Sequence, residues 1–371
     1  MVRVGGYGVR FEVLIAGVVM LGIAPSCGHP ELPRLTGDNV ATDASPDHGA
    51  SSDGALPNGP PSDGVLPDGP LPDGPPPQSL NCTGVAATCG AGANESCCKT
   101  EAVPGGTFYR SYDGAGYNDM AYPATVSTFV LDVYEVTVGR FRTFVNAGRG
   151  TQASPPAMGA GAHSQIMGSG WDTAWTTSLA ASTAGLIAGL KCSTTYQTWT
   201  DSPGGNENKP INCVNWFEAM AFCVWDGGYL PTEAEWNYAA SGGGEQRVYP
   251  WSNPANSTTI DCTYVNYTND YGNHCVMGGI NWAGSKSVKG NGRWNHSDLA
   301  GNVAEWTLDW YSGSYQMPCN NCANLPAATE RIHRGGSFSN QQYGGLRAAD
   351  RSYTYPTARS YLTGFRCARK P

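Results

Sequence analysis

The sequence predicts an α+β domain over residues 103–371, carried behind an export signal and an extended spacer. Three observations predict it. Residues 126–134 alternate apolar with small or polar side chains, the two-residue period of a strand with one buried face. Residues 217–225 place Ala219, Phe222 and Cys223 at helical spacing, and a second helix opens at a capping box in which Thr232 faces Glu235. Thirteen cysteines point to an oxidising compartment and a cross-linked core, and an odd count leaves at least one with another fate.

At the N-terminus, residues 1–27 read as the export signal. Arg3 and Arg10 supply positive charge, and the apolar stretch 11–23 is shorter than the roughly 20 residues a membrane span needs. It ends in Ile23-Ala24-Pro25-Ser26-Cys27, which resembles the lipobox of bacterial lipoproteins. Cleavage before Cys27 leaves that residue N-terminal and lipid-modified, and so accounts for the odd cysteine; secretion with cleavage near Ser26 is the alternative.

Residues 28–80 hold 12 Pro and 8 Gly, with Asp-Gly or Asn-Gly recurring every five residues from Asp53 to Gly74. Such a segment cannot bury enough apolar surface to fold, so it is expected to be a disordered, solvated linker. It carries a net charge of -7 and residues 1–27 carry +1, so of the chain's -8 residues 81–371 hold only -2. The acidity therefore belongs to the linker and describes no ligand of the domain. A nucleic-acid partner is excluded, because nothing in the chain neutralises a phosphate backbone.

Residues 81–102 form a Cys-rich lead-in, where Cys82, Cys89, Cys97 and Cys98 read as a disulfide-knotted cap, with no nearby histidine to suggest zinc. A turn at Pro104-Gly105-Gly106 leads into a strand, and Thr137 caps a short helix with Phe141, Phe144 and Val145 on one face. Residues 149–208, rich in Gly, Ala, Ser and Thr, read as a long loop insertion of the kind that carries ligand specificity.

Five blocks then occur in order: Pro210-Ile211-Asn212-Cys213-Val214-Asn215-Trp216; Leu230-Pro231-Thr232-Glu233-Ala234-Glu235-Trp236; Asp298-Leu299-Ala300-Gly301-Asn302-Val303-Ala304-Glu305-Trp306; Arg334-Gly335-Gly336-Ser337; and Gly364-Phe365-Arg366-Cys367. In this register the chain resembles the sulfatase-modifying factor family, the domain of the formylglycine-generating enzyme, over roughly residues 100–370. The resemblance implies an irregular C-type-lectin-like variant fold with little regular secondary structure.

The enzyme of that family oxidises a substrate cysteine with copper held between two thiolates, sulfur being the ligand Cu(I) prefers. The resemblance puts those thiolates three and eight residues after Ser337, where this chain has Asn340 and Gly345. Copper is therefore not expected. Ser337 matches the family's active-site serine and stands as a weak catalytic candidate. One family bridge maps to Cys223 and Cys367, and a second maps to Ala240 and Asp350, where both halves are absent.

By the same resemblance, Asp298, Gly301, Val303 and Glu305 form a structural calcium loop, with two carboxylates and two main-chain carbonyls supplying the hard oxygens Ca²⁺ requires. The alternative is that the two acids cap turns. Asn266 is a candidate for a further calcium site.

Cys192 with Cys213, Cys262 with Cys275 and Cys319 with Cys322 are short-range bridge candidates. The Cys319-Asn320-Asn321-Cys322 spacing also fits a redox pair, but no helix N-terminus is predicted there to activate a thiol. No metal-binding histidine pair, nucleophile elbow or phosphate loop is present. The leading expectation is an envelope-tethered binding module for a peptide, protein or glycan at the cell surface, touching the membrane only through its lipid. The alternatives are a formylglycine-generating-type oxidase or another protein-modifying enzyme acting through Ser337, Arg347 and Arg351, and a purely structural envelope protein.

Overall fold

The structure, a computed structural model, describes residues 81–371 apart from 270, 271, 278 and 341–344. The export signal, Cys27 and the linker lie outside the described residues.

Three small sheets carry the domain. In the first, β4 (Phe129–Asp132) lies between β1 (Thr100–Val103) and β10 (Ala368–Arg369), both antiparallel to it. In the second, β3 (Pro123–Val126) pairs antiparallel with β2 (Gly106–Tyr109) and parallel with β6 (Cys319–Asn320). The third runs β8 (Ser352–Thr354), β7 (Arg331–Arg334), β5 (Ala304–Trp310), β9 (Thr363–Gly364). The strand expected over 126–134 is thus broken. Val126 ends one sheet and Phe129 begins another, because the chain changes layer at Ser127, whose amide donates to Asn321 Oδ1 at 2.7 Å.

The helices start where their caps dictate. Thr137 accepts from the Arg140 amide and opens α1 (Val138–Asn146), whose Phe141, Phe144 and Val145 are buried. In the insertion, α2 (Thr183–Gly189) is capped by Ser182. Reciprocal capping boxes open α3 (Trp216–Trp225), through Asn215 and Glu218, and α4 (Glu233–Ser241), through Thr232 and Glu235. Each such cap contributes about 1 kcal/mol. Phe141, Phe222 and Phe365 then meet with centroids 5.4–6.3 Å apart, and the Cys223–Cys367 bridge lies in the same core.

The insertion at 149–208 is not simply a surface loop. Trp171, Leu179, Leu186, Leu190 and Trp199 are all buried in that main core. His163 Nε2 also lies 3.2 Å from Glu235 Oε1, tying the insertion to the start of α4. Its polar composition hid five apolar anchors, of which only Leu186, on α2, and Leu190, at its C-cap, share a helical spacing.

Charges close the domain on itself. Asp132 of β4 and Asp226 after α3 are each bridged by Arg140 and Arg369, at 2.5–2.9 Å, with all four side chains buried. Burial would raise Asp132, but the two guanidinium groups outweigh it and hold the carboxyl below its usual range.

Candidate functional site

The segment from Asp298 to Glu305 enters β5 through three left-handed residues, Asp298, Gly301 and Asn302. A Cβ on Gly301 would stand 2.4 Å from the Asn266 carbonyl, so glycine is required by both conformation and space. Asp298 Oδ2 accepts from the Gly284 amide at 2.5 Å. Glu305 faces Arg366 in a two-pronged pair, Nε–Oε2 2.7 Å and Nη2–Oε1 2.6 Å, and also accepts from the Trp236 indole at 2.8 Å.

A third acid, which the sequence does not single out, completes the cluster. Glu135 accepts from the Val303 amide and the Asn302 side chain and is fully buried. Burial, then the Asp298 and Glu305 charges, push Glu135 well above the usual carboxylate range. Burial raises Asp298 to about 6, against the Gly284 amide and Arg366. The cluster thus holds more negative charge than Arg366 answers. Asn266 Oδ1 nearby is buried and accepts no hydrogen bond, leaving an oxygen donor open. Among the described residues no three His, Cys, Asp or Glu side chains converge as metal ligands, so any cation here needs backbone carbonyls as well.

Around Ser337 the chain makes a tight turn. Ser337 is buried, and both its amide and its hydroxyl donate to Asn340 Oδ1 at 2.9 Å. The hydroxyl is therefore engaged by an amide oxygen, and among the described residues no base is hydrogen-bonded to it. Gly345 has φ +82°, and a Cβ there would lie 3.1 Å from Asn340 Nδ2, so positions 340 and 345 face each other. Neither offers a thiolate. The twelve cysteines of residues 81–371 form six bridges, joining 82 to 98, 89 to 97, 192 to 213, 223 to 367, 262 to 275 and 319 to 322.

Beside this turn opens a cleft of about 240 Å³ lined by Ser111, Tyr117, Tyr122, Gly313, Tyr315, Ala349, Asp350 and Arg351. Tyr117 donates to Asp350 Oδ1, while Asp350 Oδ2 accepts from the Gly345 amide at 3.0 Å, so the cleft and the turn share one carboxylate. Beneath it, Glu233 at the start of α4 accepts from Arg334 Nη2 at 2.7 Å and Arg351 Nη2 at 3.0 Å. Arg347 is held by Asp113 at 2.8 Å. Both arginines considered as reactive candidates are thus engaged in ion pairs. A larger cleft of about 640 Å³ is lined mainly by glycines and alanines with Tyr229, Arg369 and Lys370, and Arg369 is already bound by Asp132 and Asp226.

Tyr117, Tyr122, Tyr315, Glu233 and Asp113 were not singled out by the sequence. They come from three separate stretches of chain, and only the fold assembles them.

Residues 86–371 match the family described as sulfatase-modifying factor enzyme 1-like domain. The formylglycine-generating enzyme of Streptomyces coelicolor is 31% identical over 290 residues, spanning 72% of this chain and 87% of that protein. The inactive C-alpha-formylglycine-generating enzyme 2 of Bos taurus is 26% identical over 277 residues, covering 72% of this chain and 86% of that one. Among solved structures, PvdO from Pseudomonas aeruginosa aligns with a TM-score of 0.50 at 17% identity, over 73% of this chain and 94% of that chain, a likeness of fold.

Proposed function

The chain belongs to the sulfatase-modifying factor family and has its irregular α+β, C-type-lectin-like fold, and on that premise we propose that it is an exported binding module without copper oxidase chemistry. One observation carries the reading: every described cysteine is in a disulfide, and the two positions that the family resemblance assigns to copper are an amide and a glycine. A copper ion needing two thiolates does not fit this residue set. The likeness to an inactive vertebrate relative points the same way.

The six disulfides are consistent with export. Anchoring through a lipid on Cys27 is part of the same proposal, and absence of fatty-acid label from the expressed chain would refute it. The ligand is a peptide or glycan, taken in the tyrosine-lined cleft: aromatic faces and a few fixed polar groups suit sugar rings or peptide planes. Asp350 and Arg351 supply the acceptor and the cation. In the 298–305 segment we propose calcium on Asp298, Glu305 and the carbonyls of Gly301 and Val303, motivated by the surplus of buried negative charge.

Incubation of the purified protein with Cu(I), oxygen and a cysteine-containing sulfatase-motif peptide is expected to yield no aldehyde by mass spectrometry. Clear turnover would overturn the reading.

A further inference from the structure

The Cys319–Cys322 bridge differs from the other five in its surroundings. It closes a separation of 3 residues, against 8 to 144 for the rest, so it restricts the unfolded chain least. Cys319 is buried while Cys322 is half-buried, an asymmetry that leaves one sulfur approachable and shields the other.

Arg110 supplies what the sequence lacked at this site. Its guanidinium donates from Nη1 toward Cys322 Sγ at 3.5 Å, and from Nη2 to the Gln316 carbonyl at 2.7 Å and toward Met317 Sδ at 3.2 Å. The side chain is 4% exposed, yet Nε has no acceptor. Arg140, Arg334, Arg366 and Arg369, equally buried, each grip a carboxylate; Arg110 grips none. Glu233 and Asp309 lie within electrostatic reach, together with the like charge of Arg351, but none pairs with it. A buried cation without an anion, set against a sulfur, is placed to stabilise that sulfur as a thiolate.

The two residues between the cysteines are held independently of the bridge. Asn320 pairs with Thr125 in the β3–β6 ladder, and the Asn321 amide donates to the Thr125 carbonyl. The Asn321 side chain binds Ser127 through 2.7 and 3.0 Å hydrogen bonds. Opening the disulfide therefore leaves the two thiols side by side.

We propose that Cys319–Cys322 is a thiol–disulfide exchange centre acting on peptide or protein dithiols, with Cys322 as the exchanging sulfur and Arg110 as its positioning cation. A substrate thiolate attacks Cys322 Sγ, the Cys319–Cys322 bond breaks, and Cys319 leaves as a thiolate that takes up a proton. The substrate's second thiolate then attacks its own sulfur in the mixed disulfide and releases Cys322 as a thiolate facing Arg110. Two electrons pass from the substrate dithiol, which becomes a disulfide, to the Cys319–Cys322 pair, which becomes a dithiol. A small disulfide such as oxidised glutathione restores the bridge by the reverse exchange.

The test uses the full chain in a series of glutathione redox buffers, quenched in acid, with each bridge mapped by differential alkylation and mass spectrometry. Cys319–Cys322 is expected to open at least about tenfold faster than the other bridges, followed by stoichiometric oxidation of a dithiol peptide after reoxidation. In the selectively reduced protein, Cys322 should alkylate near pH 6.5 faster than Cys319. Arg110→Met should slow it about tenfold, the effect of a one-unit rise in thiol pKa, and Arg110→Lys should restore it. Opening of this bridge no faster than Cys192–Cys213 overturns the proposal, whether or not the variants fold. An unchanged Cys322 rate in folded Arg110→Met overturns the role of Arg110.

Discussion

Removing the Cys223–Cys367 bridge should cost more than removing any other, and the structure supplies the magnitude. The bridge spans 144 residues and ties α3 to the segment before β10, with both sulfurs fully buried. In the chain-entropy account, a loop of this length contributes about 5 kcal/mol, one the size of Cys192–Cys213 about 3, and one the size of Cys319–Cys322 about 2. For a domain of this size the first corresponds to a melting-temperature drop of about 8 °C and the last to about 3 °C. The core cavity left beside Phe222 and Phe365 adds to the first and not to the last. Scanning calorimetry on C223A/C367A, C192A/C213A and C319A/C322A, each as a double variant, reads the order directly. Equal or greater loss in C319A/C322A than in C223A/C367A would refute the reasoning, and with it the view that the short bridge is the one free to exchange.

Two further outcomes concern buried acids. Burial, then the Glu233 charge, raise Asp309 to about 6, from a reference of 3.8. The folded state therefore holds its proton where the unfolded chain has lost it, so stability is highest below about pH 4 and falls as pH rises toward 6. The loss reaches at most about 3 kcal/mol for this group. Asp309→Asn should flatten that part of the profile in urea titrations at pH 4 and pH 7, and an identical slope in the two proteins would contradict the assignment. Asp298 has the same sign and the same value of about 6, but calcium should reverse it by favouring the charged form. With calcium at a hundred times its dissociation constant, the stabilisation is about 2.7 kcal/mol, about 4 °C in the melt. A melting temperature unmoved by EDTA would remove calcium from Asp298, Gly301, Val303 and Glu305.

Much of the architecture was legible because its signals are local. A capping box is four residues long, and Thr232 with Glu235 makes both of its hydrogen bonds in the fold as the spacing implies. Thr137 and the apolar face of α1 follow the same rule. The strand at 126–134 failed because alternation reports burial on one face but not which sheet supplies the partner. The buried anchors of the insertion went unread for a related reason: Trp171 and Trp199 reach the core from irregular backbone, where no period exists to announce them.

The candidate site was legible only where a motif survives. Ser337, Asn340 and Gly345 were placed by their block, and the fold adds that the serine hydroxyl donates to the Asn340 side chain. Glu135 and Glu233 were invisible, because a lone carboxylate acquires its meaning from charges brought to it across 101 to 231 residues of chain.

By itself the sequence determined the family, the helix starts and the absence of any cysteine between Ser337 and Cys367, all properties of residues close together in the chain. It determined too that Cys319 and Cys322 sit at redox spacing, but not whether anything there favours a thiolate. Tertiary structure alone decided that. Electrostatic stabilisation acts through space over a few ångströms, and the guanidinium that faces Cys322 belongs to Arg110, more than two hundred residues away.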